Sequence, residues 1–415
     1  MPRPLVYKQQ LNRKGGACAK DCGVIMMPNS YEVASIAMTN SSLTKRIDRI
    51  EVRNYRSLGD VNLDLSDLTV LVGPNGSGKS NVLDVLRFVS DALRLGLEVA
   101  LVQGNRGEMQ GVRTRSLTDD LGDVSISLYM TLYGVHSEYH LVLGSHDKND
   151  FFIKTERCVV GSQRFLVHGG VLEESTMPYT ITTFEKSLLL PLLLDSDDLL
   201  DLYRFLTFEA GYYSILSRYA YTPRKLASLV KLDSDAANLA TVLWRIANTI
   251  EDQNLIEQIY EGFANIVPGL DTRQPFRVES FGNFVAITIQ HQDGSTFDLA
   301  SESDGTIRIL GLLTAIYQIP RLKLIAIEEP ELIIHPGALG VLCDIFKEAS
   351  LTSQIILTTH SPDMISRFAP ESLRLVTREN GLTQITPVSE DNIKAINDQL
   401  FTAGDLLRIG AFERV

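Results

Sequence analysis

The octapeptide Gly73-Pro74-Asn75-Gly76-Ser77-Gly78-Lys79-Ser80 constrains this chain more than any other feature. It fits the pattern G-x-x-x-x-G-K-[ST], and its context is the one such a loop needs. Leu68 to Val72 is a continuous apolar run, as in a strand buried on both faces. From Lys79 onward, Val82, Leu83, Leu86 and Val89 share one helical face. A buried strand that ends in a glycine-rich turn and opens a helix lets backbone N–H groups wrap phosphates. The partial positive charge of the helix N-terminus reinforces them. Lys79 is expected to reach the β- and γ-phosphates and the Ser80 hydroxyl to ligate Mg²⁺. The expected ATP-binding set is Gly73, Pro74, Asn75, Gly76, Ser77, Gly78, Lys79, Ser80 and Asn81.

Two further segments fit the same chemistry. Leu324 to Ile327 is an apolar strand pattern ending in Glu328 and Glu329. Adjacent acids at a strand end suit a metal carboxylate, Glu328, and a catalytic base, Glu329. Ile355 to Thr359 is another apolar strand pattern, followed by His360 and Ser361-Pro362. Ligands of open α/β sheets bind at the C-terminal ends of the strands, so His360 is expected near the γ-phosphate.

Around these motifs the pattern alternates between strand and helix. Ile47, Ile50 and Val52, then Val61, Leu63 and Leu65, read as two short strands. Val124 to Leu132 and Tyr139 to Leu143 read as a half-buried antiparallel hairpin. From Ser175 to Val267 the spacing turns helical, as in Leu239, Val242, Leu243, Ile246 and Ile250, without the sustained heptads of a coiled-coil arm. Strands resume at Phe284 to Ile289, and the alternation through Leu339 to Phe346 and Leu373 to Val376 implies a largely parallel sheet. The expected fold is α/β, a mostly parallel sheet with an antiparallel β subdomain and a helical insertion. Its expected divisions are a basic, disordered tail over 1–44, an N-terminal part of the nucleotide domain over 45–174, the insertion over 175–267, and a C-terminal part over 268–415.

Composition adds limits. No apolar run reaches the length of a membrane span, and no membrane partner is expected. The tail lacks an apolar signal region, and Met27 and Met38 are alternative starts. Cys18 and Cys22 have no second ligand pair nearby and are not read as a zinc site, while Cys158 and Cys343 sit in apolar surroundings that suit reduced cytoplasmic thiols. A net charge of −12 argues against whole-surface attraction to nucleic acid. A local basic groove is left open by Arg53, Arg56, Arg106, Arg113 and Arg115.

The set Asn54-Tyr55-Arg56-Ser57, the loop GPNGSGKSN, Ser303-Asp304-Gly305-Thr306, Ile327-Glu328-Glu329-Pro330-Glu331 with His335-Pro336, and Thr359-His360-Ser361-Pro362 resembles the RecF/SMC-related, ABC-type ATPases of the AAA group. Within that group it most resembles small ATPases that share a head with the OLD family. The resemblance runs from Leu43 to the C-terminus. It implies a P-loop NTPase of ABC/SMC-head type, with ATP and Mg²⁺ as cofactors. It places Ser303, Asp304 and Gly305 at the signature motif, which contacts the γ-phosphate held by a second head, so a homodimer is implied. It places His335-Pro336 at the D-loop and His360 at the switch histidine. Glu302 and Asp304 depart from the transporter pattern, and Gln103 and Gln110 are the candidates for the Q-loop. A TOPRIM nuclease domain is not expected, because Glu390-Asp391 is not an Asp-x-Asp motif on a strand and Asp195-Ser196-Asp197-Asp198 has that look in the wrong place, as an acidic loop capping a helix would. Three kinds of work remain: a DNA-associated ATPase of genome maintenance, an ATPase gating a separate effector in a defence or toxin-like system, and a transporter domain. The helical insertion and variant signature speak against the last.

Overall fold

A computed structural model describes residues 45–114, 122–146, 150–177, 185–215, 220, 224–225, 231–249 and 253–408. The tail with Cys18 and Cys22, Arg115 and Ile250 lie outside the described residues. The central sheet has the strand order β17-β16-β3-β15-β14-β9. These strands span Leu382–Pro387, Leu373–Glu379, Leu68–Val72, Gln354–Thr359, Leu324–Glu328 and Ala210–Tyr213 respectively. All neighbours pair in parallel except β16 with β17. Apolar side chains leave both faces of its middle strands. Val70, Val72, Ile325 and Ile327 enter one core, and Leu71, Leu324 and Ala326 the other, which is why these strands read as unbroken apolar runs.

The second core lies between the central sheet and an antiparallel sheet ordered β2-β1-β4-β5-β6-β7-β8. Its strands are β1 (Arg46–Tyr55), β2 (Leu58–Asp64), β4 (Val124–Leu132), β5 (Val135–Gly144), β6 (Phe152–Val160), β7 (Gln163–His168) and β8 (Val171–Ser175). Strand β4 alternates buried and half-buried positions along its whole length, as a sheet with one covered face requires. Helix α1 (Lys79–Leu95) fills the space between the two sheets with Val82, Leu83, Val85, Leu86, Phe88 and Val89. A short helix α2 (Leu97–Val102) follows it, and α3 (Glu108–Val112) returns toward β1.

The stretch read as a helical insertion holds α4 (Asp197–Thr207), α5 (Leu239–Asn248) and α6 (Gln253–Ile266), but it also supplies β9, the edge strand of the central sheet. Four residues without alternation carry no strand signal of their own. A small sheet of β10 (Arg224–Lys225), β11 (Phe276–Phe281), β12 (Phe284–Gln290) and β13 (Thr296–Asp298) then leads into α7 (Asp304–Tyr317), and α8 (Leu339–Ala349) joins β14 to β15. Among the described residues no helix is long and apolar enough to cross a membrane.

Arg106 corrects the reading of a basic groove. It is fully buried, pairing with Asp84 at 2.9 Å and Asp91 at 3.0 Å while its guanidinium lies over the Phe88 ring. Arg113 is buried as well. Two of the five arginines that left a basic groove open are therefore inside the protein.

One buried carboxyl makes the fold sensitive to pH. Glu156, on β6, accepts hydrogen bonds from the Leu189 and Leu190 N–H groups at 2.5 and 3.1 Å and from the Tyr139 hydroxyl at 3.1 Å. Burial pushes its pKa up to about 7, against the pull of these three donors. A raised carboxyl pKa stabilises the fold below the unfolded value of 4.5, and that contribution is lost as pH rises through about 7. Glu156→Gln removes the titration. Urea unfolding of the wild type should lose on the order of 3 kcal/mol relative to the variant between pH 4.5 and 7.5. Parallel pH profiles for the two proteins would contradict this.

Candidate functional site

The parallel register assembles the site. Val72 pairs with Thr359, Thr358 with Glu328, and Ile327 with Tyr213. The residues one step beyond these strand ends therefore meet at one edge: Gly73 after β3, His360 after β15, Glu329 after β14, and Ser214 after β9. The strands bring together residues separated by more than a hundred positions.

Gly73 to Ser80 turns sharply into α1. Gly76 and Gly78 take φ of +78° and +111°, values that only glycine adopts freely. The Lys79 ammonium is buried and donates to the Gly73 and Pro74 carbonyls at 2.7 and 3.0 Å. Desolvation lowers its pKa, and the charges of Glu329, Glu331 and Glu328 oppose that shift. Pro74, Asn75, Gly76 and Ser80 are exposed, so the loop opens to solvent on the side a ligand would approach.

Across from α1, the half-buried Glu328 carboxyl lies beside the side chains of Ser80 and Ser214, the latter lining the same pocket. Desolvation raises its pKa, the two serines hold it down, and Asp84 pushes it up again. Glu329 follows in a left-handed conformation, φ +41°, which costs a non-glycine residue on the order of 1 kcal/mol or more. Its carboxylate lies 3.2 Å from His360 Nδ1. Glu331 supports this pair from below, accepting from the Thr359 hydroxyl at 2.5 Å and the His360 N–H at 3.2 Å.

Arg308 fixes the backbone behind the acids. This buried residue of α7 donates to the carbonyls of Glu329 (2.7 Å), Glu328 (3.2 Å) and Ile215. Ser303 caps the same helix by accepting from Thr306 N–H at 3.1 Å. Ser303 and Asp304 are exposed, whereas Gly305 is buried under the Ile333 carbonyl, 2.7 Å from where a Cβ would stand. Among the described residues no hydrogen bond or ion pair joins Ser303, Asp304 or Gly305 to the loop of Gly73–Asn81. The structure thus gathers Gly73–Asn81, Glu328, Glu329 and His360 at one place, and Ser303–Gly305 begins the helix whose Arg308 holds the backbone of the two acids.

Nothing in the sequence singles out Ser214. Gln103 and Gln110 are the polar contributors expected there, yet Gln103 lines a neighbouring pocket with Arg87, Asp91 and Lys231, and Gln110 is exposed. The side chain that reaches Glu328 from the adjoining strand is Ser214. Only the pairing of β9 with β14 reveals it.

Fold and site together define a P-loop NTPase of ABC/SMC-head type. A family model described as "AAA ATPase domain" matches residues 46–129, and one described as "AAA domain, putative AbiEii toxin, Type IV TA system" matches 212–366. The OLD nuclease of Thermus scotoductus is 24% identical over 379 residues, which is 85% of this chain and 66% of that protein. The chain thus spans just under two thirds of that relative's length. The chromosome partition protein Smc of Methanocaldococcus jannaschii is 46% identical over 44 residues, 10% of this chain and 4% of that protein. Among solved structures, an Smc head bound to the C-winged helix domain of ScpA aligns with a TM-score of 0.52 at 15% identity, covering 83% of this chain and 99% of that one. The Pyrococcus furiosus Smc head with an extended coiled coil, bound to the C-terminal domain of ScpA, gives 0.53 at 14%, covering 86% and 100%. The chain is of the ABC/SMC-like AAA ATPase class and related to OLD.

Arg308→Leu removes the donors to Ile215, Glu328 and Glu329 at once. Urea unfolding should show a loss of about 2–4 kcal/mol. A change below about 0.5 kcal/mol would contradict the anchoring role.

Proposed function

We propose that the chain binds ATP with Mg²⁺ at Gly73–Asn81 and hydrolyses it to ADP and phosphate. The observation that carries this reading is the parallel register that brings Gly73, Glu329 and His360 to one edge, with Ser80, at the start of α1, close enough to Glu328, at the end of β14, to lower its pKa. It sets a hydroxyl and a carboxylate side by side next to a phosphate-type loop. Among the described residues no group of three or more His, Cys, Asp or Glu side chains is placed to hold a metal ion. The donors present therefore suit a cation that takes its other ligands from phosphate and water, as Mg²⁺ does. Ser80 and Glu328 would hold such a cation, and it would neutralise negative charge developing on the phosphates. Lys79 exchanges the carbonyls of Gly73 and Pro74 for phosphate oxygens. Glu329 takes the proton of the attacking water, and His360 orients its carboxylate. Ser214 steadies Glu328 from the far side.

The working unit in this reading is a pair of heads, most simply a homodimer. Ser303 and Asp304 are exposed, and with Gly305 they would complete the nucleotide site of a second copy. The resemblance to RecF and SMC heads favours coupling to DNA in the cytoplasm, as in repair or genome maintenance. The toxin named in the family description over 212–366 favours a second reading, in which hydrolysis gates a separate effector protein.

Steady-state turnover of Mg-ATP, with and without double-stranded DNA, tests the proposal. Glu329→Gln should reduce turnover by at least about 100-fold and leave nucleotide binding intact. Turnover that rises with DNA supports the DNA-coupled reading, and turnover indifferent to DNA favours the effector. Activity that survives Glu329→Gln would contradict its role as base.

A further inference from the structure

The hairpin of β16 and β17 grips the phosphate loop from outside, and it lies beyond the stretches matched by either family model. Thr383 is fully buried at the contact, and its hydroxyl donates to the Ser77 carbonyl at 2.8 Å. That hydroxyl belongs to a chain of donors. Asn81 Nδ2 donates to Ser57 Oγ at 2.7 Å, Ser57 Oγ lies 2.6 Å from Thr383 Oγ1, and the Thr383 N–H returns to the Ser57 carbonyl at 2.7 Å. Because Asn81 supplies the hydrogen to Ser57 and Thr383 gives its own to Ser77, the Ser57 hydroxyl must donate to Thr383. On the other side of the loop, Arg378 donates to the Gly76 carbonyl at 3.2 Å and to Gly381 at 3.0 Å, tying the loop to the turn of the hairpin.

Peptide planarity gives these contacts a consequence. In a trans peptide unit the C=O and N–H point to opposite sides. Holding the Ser77 carbonyl toward the hairpin turns the Gly78 N–H away from it, and holding the Gly76 carbonyl does the same for the Ser77 N–H, which donates within the loop to the Pro74 carbonyl at 3.2 Å. Packing leaves no slack at this contact, because a Cβ on Gly78 would stand 2.0 Å from Thr383 Oγ1 and a Cβ on Gly73 would stand 2.1 Å from the Val376 carbonyl.

We propose that Thr383 and Arg378 are positioning residues of the nucleotide site, holding the outer carbonyls of the loop so that its N–H groups stay aimed at the phosphates. The proposal rests on the ATP-binding reading of Gly73–Asn81. It also accounts for the Asn54-Tyr55-Arg56-Ser57 motif. Ser57 relays the hairpin to α1, and Tyr55 bonds the same helix through Asp84 at 2.6 Å. A cradle set before the ligand arrives binds more tightly than one that must be ordered by it.

Isothermal titration of the full chain with Mg-ADP and Mg-ATP tests this, alongside melting without nucleotide. Thr383→Val keeps the shape and removes the donor, so both nucleotides should bind about 3–10-fold more weakly. Thr383→Ser keeps the hydroxyl and should bind within about twofold of wild type. Arg378→Gln should weaken binding in the same direction, and it carries the test alone should Thr383→Val fail to fold. Unchanged affinity in the folded variants overturns the proposal. So does a serine variant as weak as the valine one, because the hydroxyl would then not be the agent. A wild-type protein that binds neither nucleotide overturns the ATP-binding reading itself, a result distinct from either of these.

Discussion

Parallel pairing of β3, β15 and β14 is the constraint on which the rest of the molecule depends. These strands are buried on both faces, so their side chains fix them in register through two separate cores. Slipping one strand by a single residue would send every apolar side chain to the wrong core. The same register sets Gly73, His360 and Glu329 side by side. Site geometry is thus a by-product of core packing, and the polar residues can be few because the hydrophobic ones already position them.

Around that edge the protein concentrates strain and buried charge. Glu329 sits at φ +41° and Ile333 at φ +66°, both unfavourable for residues with side chains. The loop between them is held by Arg308 on one side and by Gly305 on the other. One short stretch therefore links the carboxylates to the helix that begins at Ser303. Rearrangement at either end is coupled to the other through contacts a few ångströms long. Lys79 and Arg308 are both buried cations facing acids, and desolvation lowers the pKa of each. Phosphate would add negative charge beside Lys79 and further offset the desolvation that lowers its pKa.

Much of this is legible in the sequence because the informative residues are contiguous. The loop at Gly73–Ser80, the acids after Leu324–Ile327 and His360 after its strand each announce themselves within a few positions, and the structure sets all of them at one edge. What the sequence hides depends on contacts between distant segments. Ser214 follows a strand of four residues, and only the partner strand β14 shows what it faces. Thr383 lies on a hairpin strand with no motif, more than three hundred positions from Ser77. Arg106 reads from the sequence as a surface residue because charge predicts exposure, whereas two aspartates and an aromatic ring offset the cost of its burial.

Under the proposed function, Gly73–Asn81 is a nucleotide site whose phosphate grip would depend on Lys79. Calorimetric titration of Mg-ATP into the wild-type protein and into Lys79→Ala tests it most directly. The account predicts saturable binding to the wild type and none detectable to the variant, with both proteins folded. Equal affinity in the two proteins would contradict it.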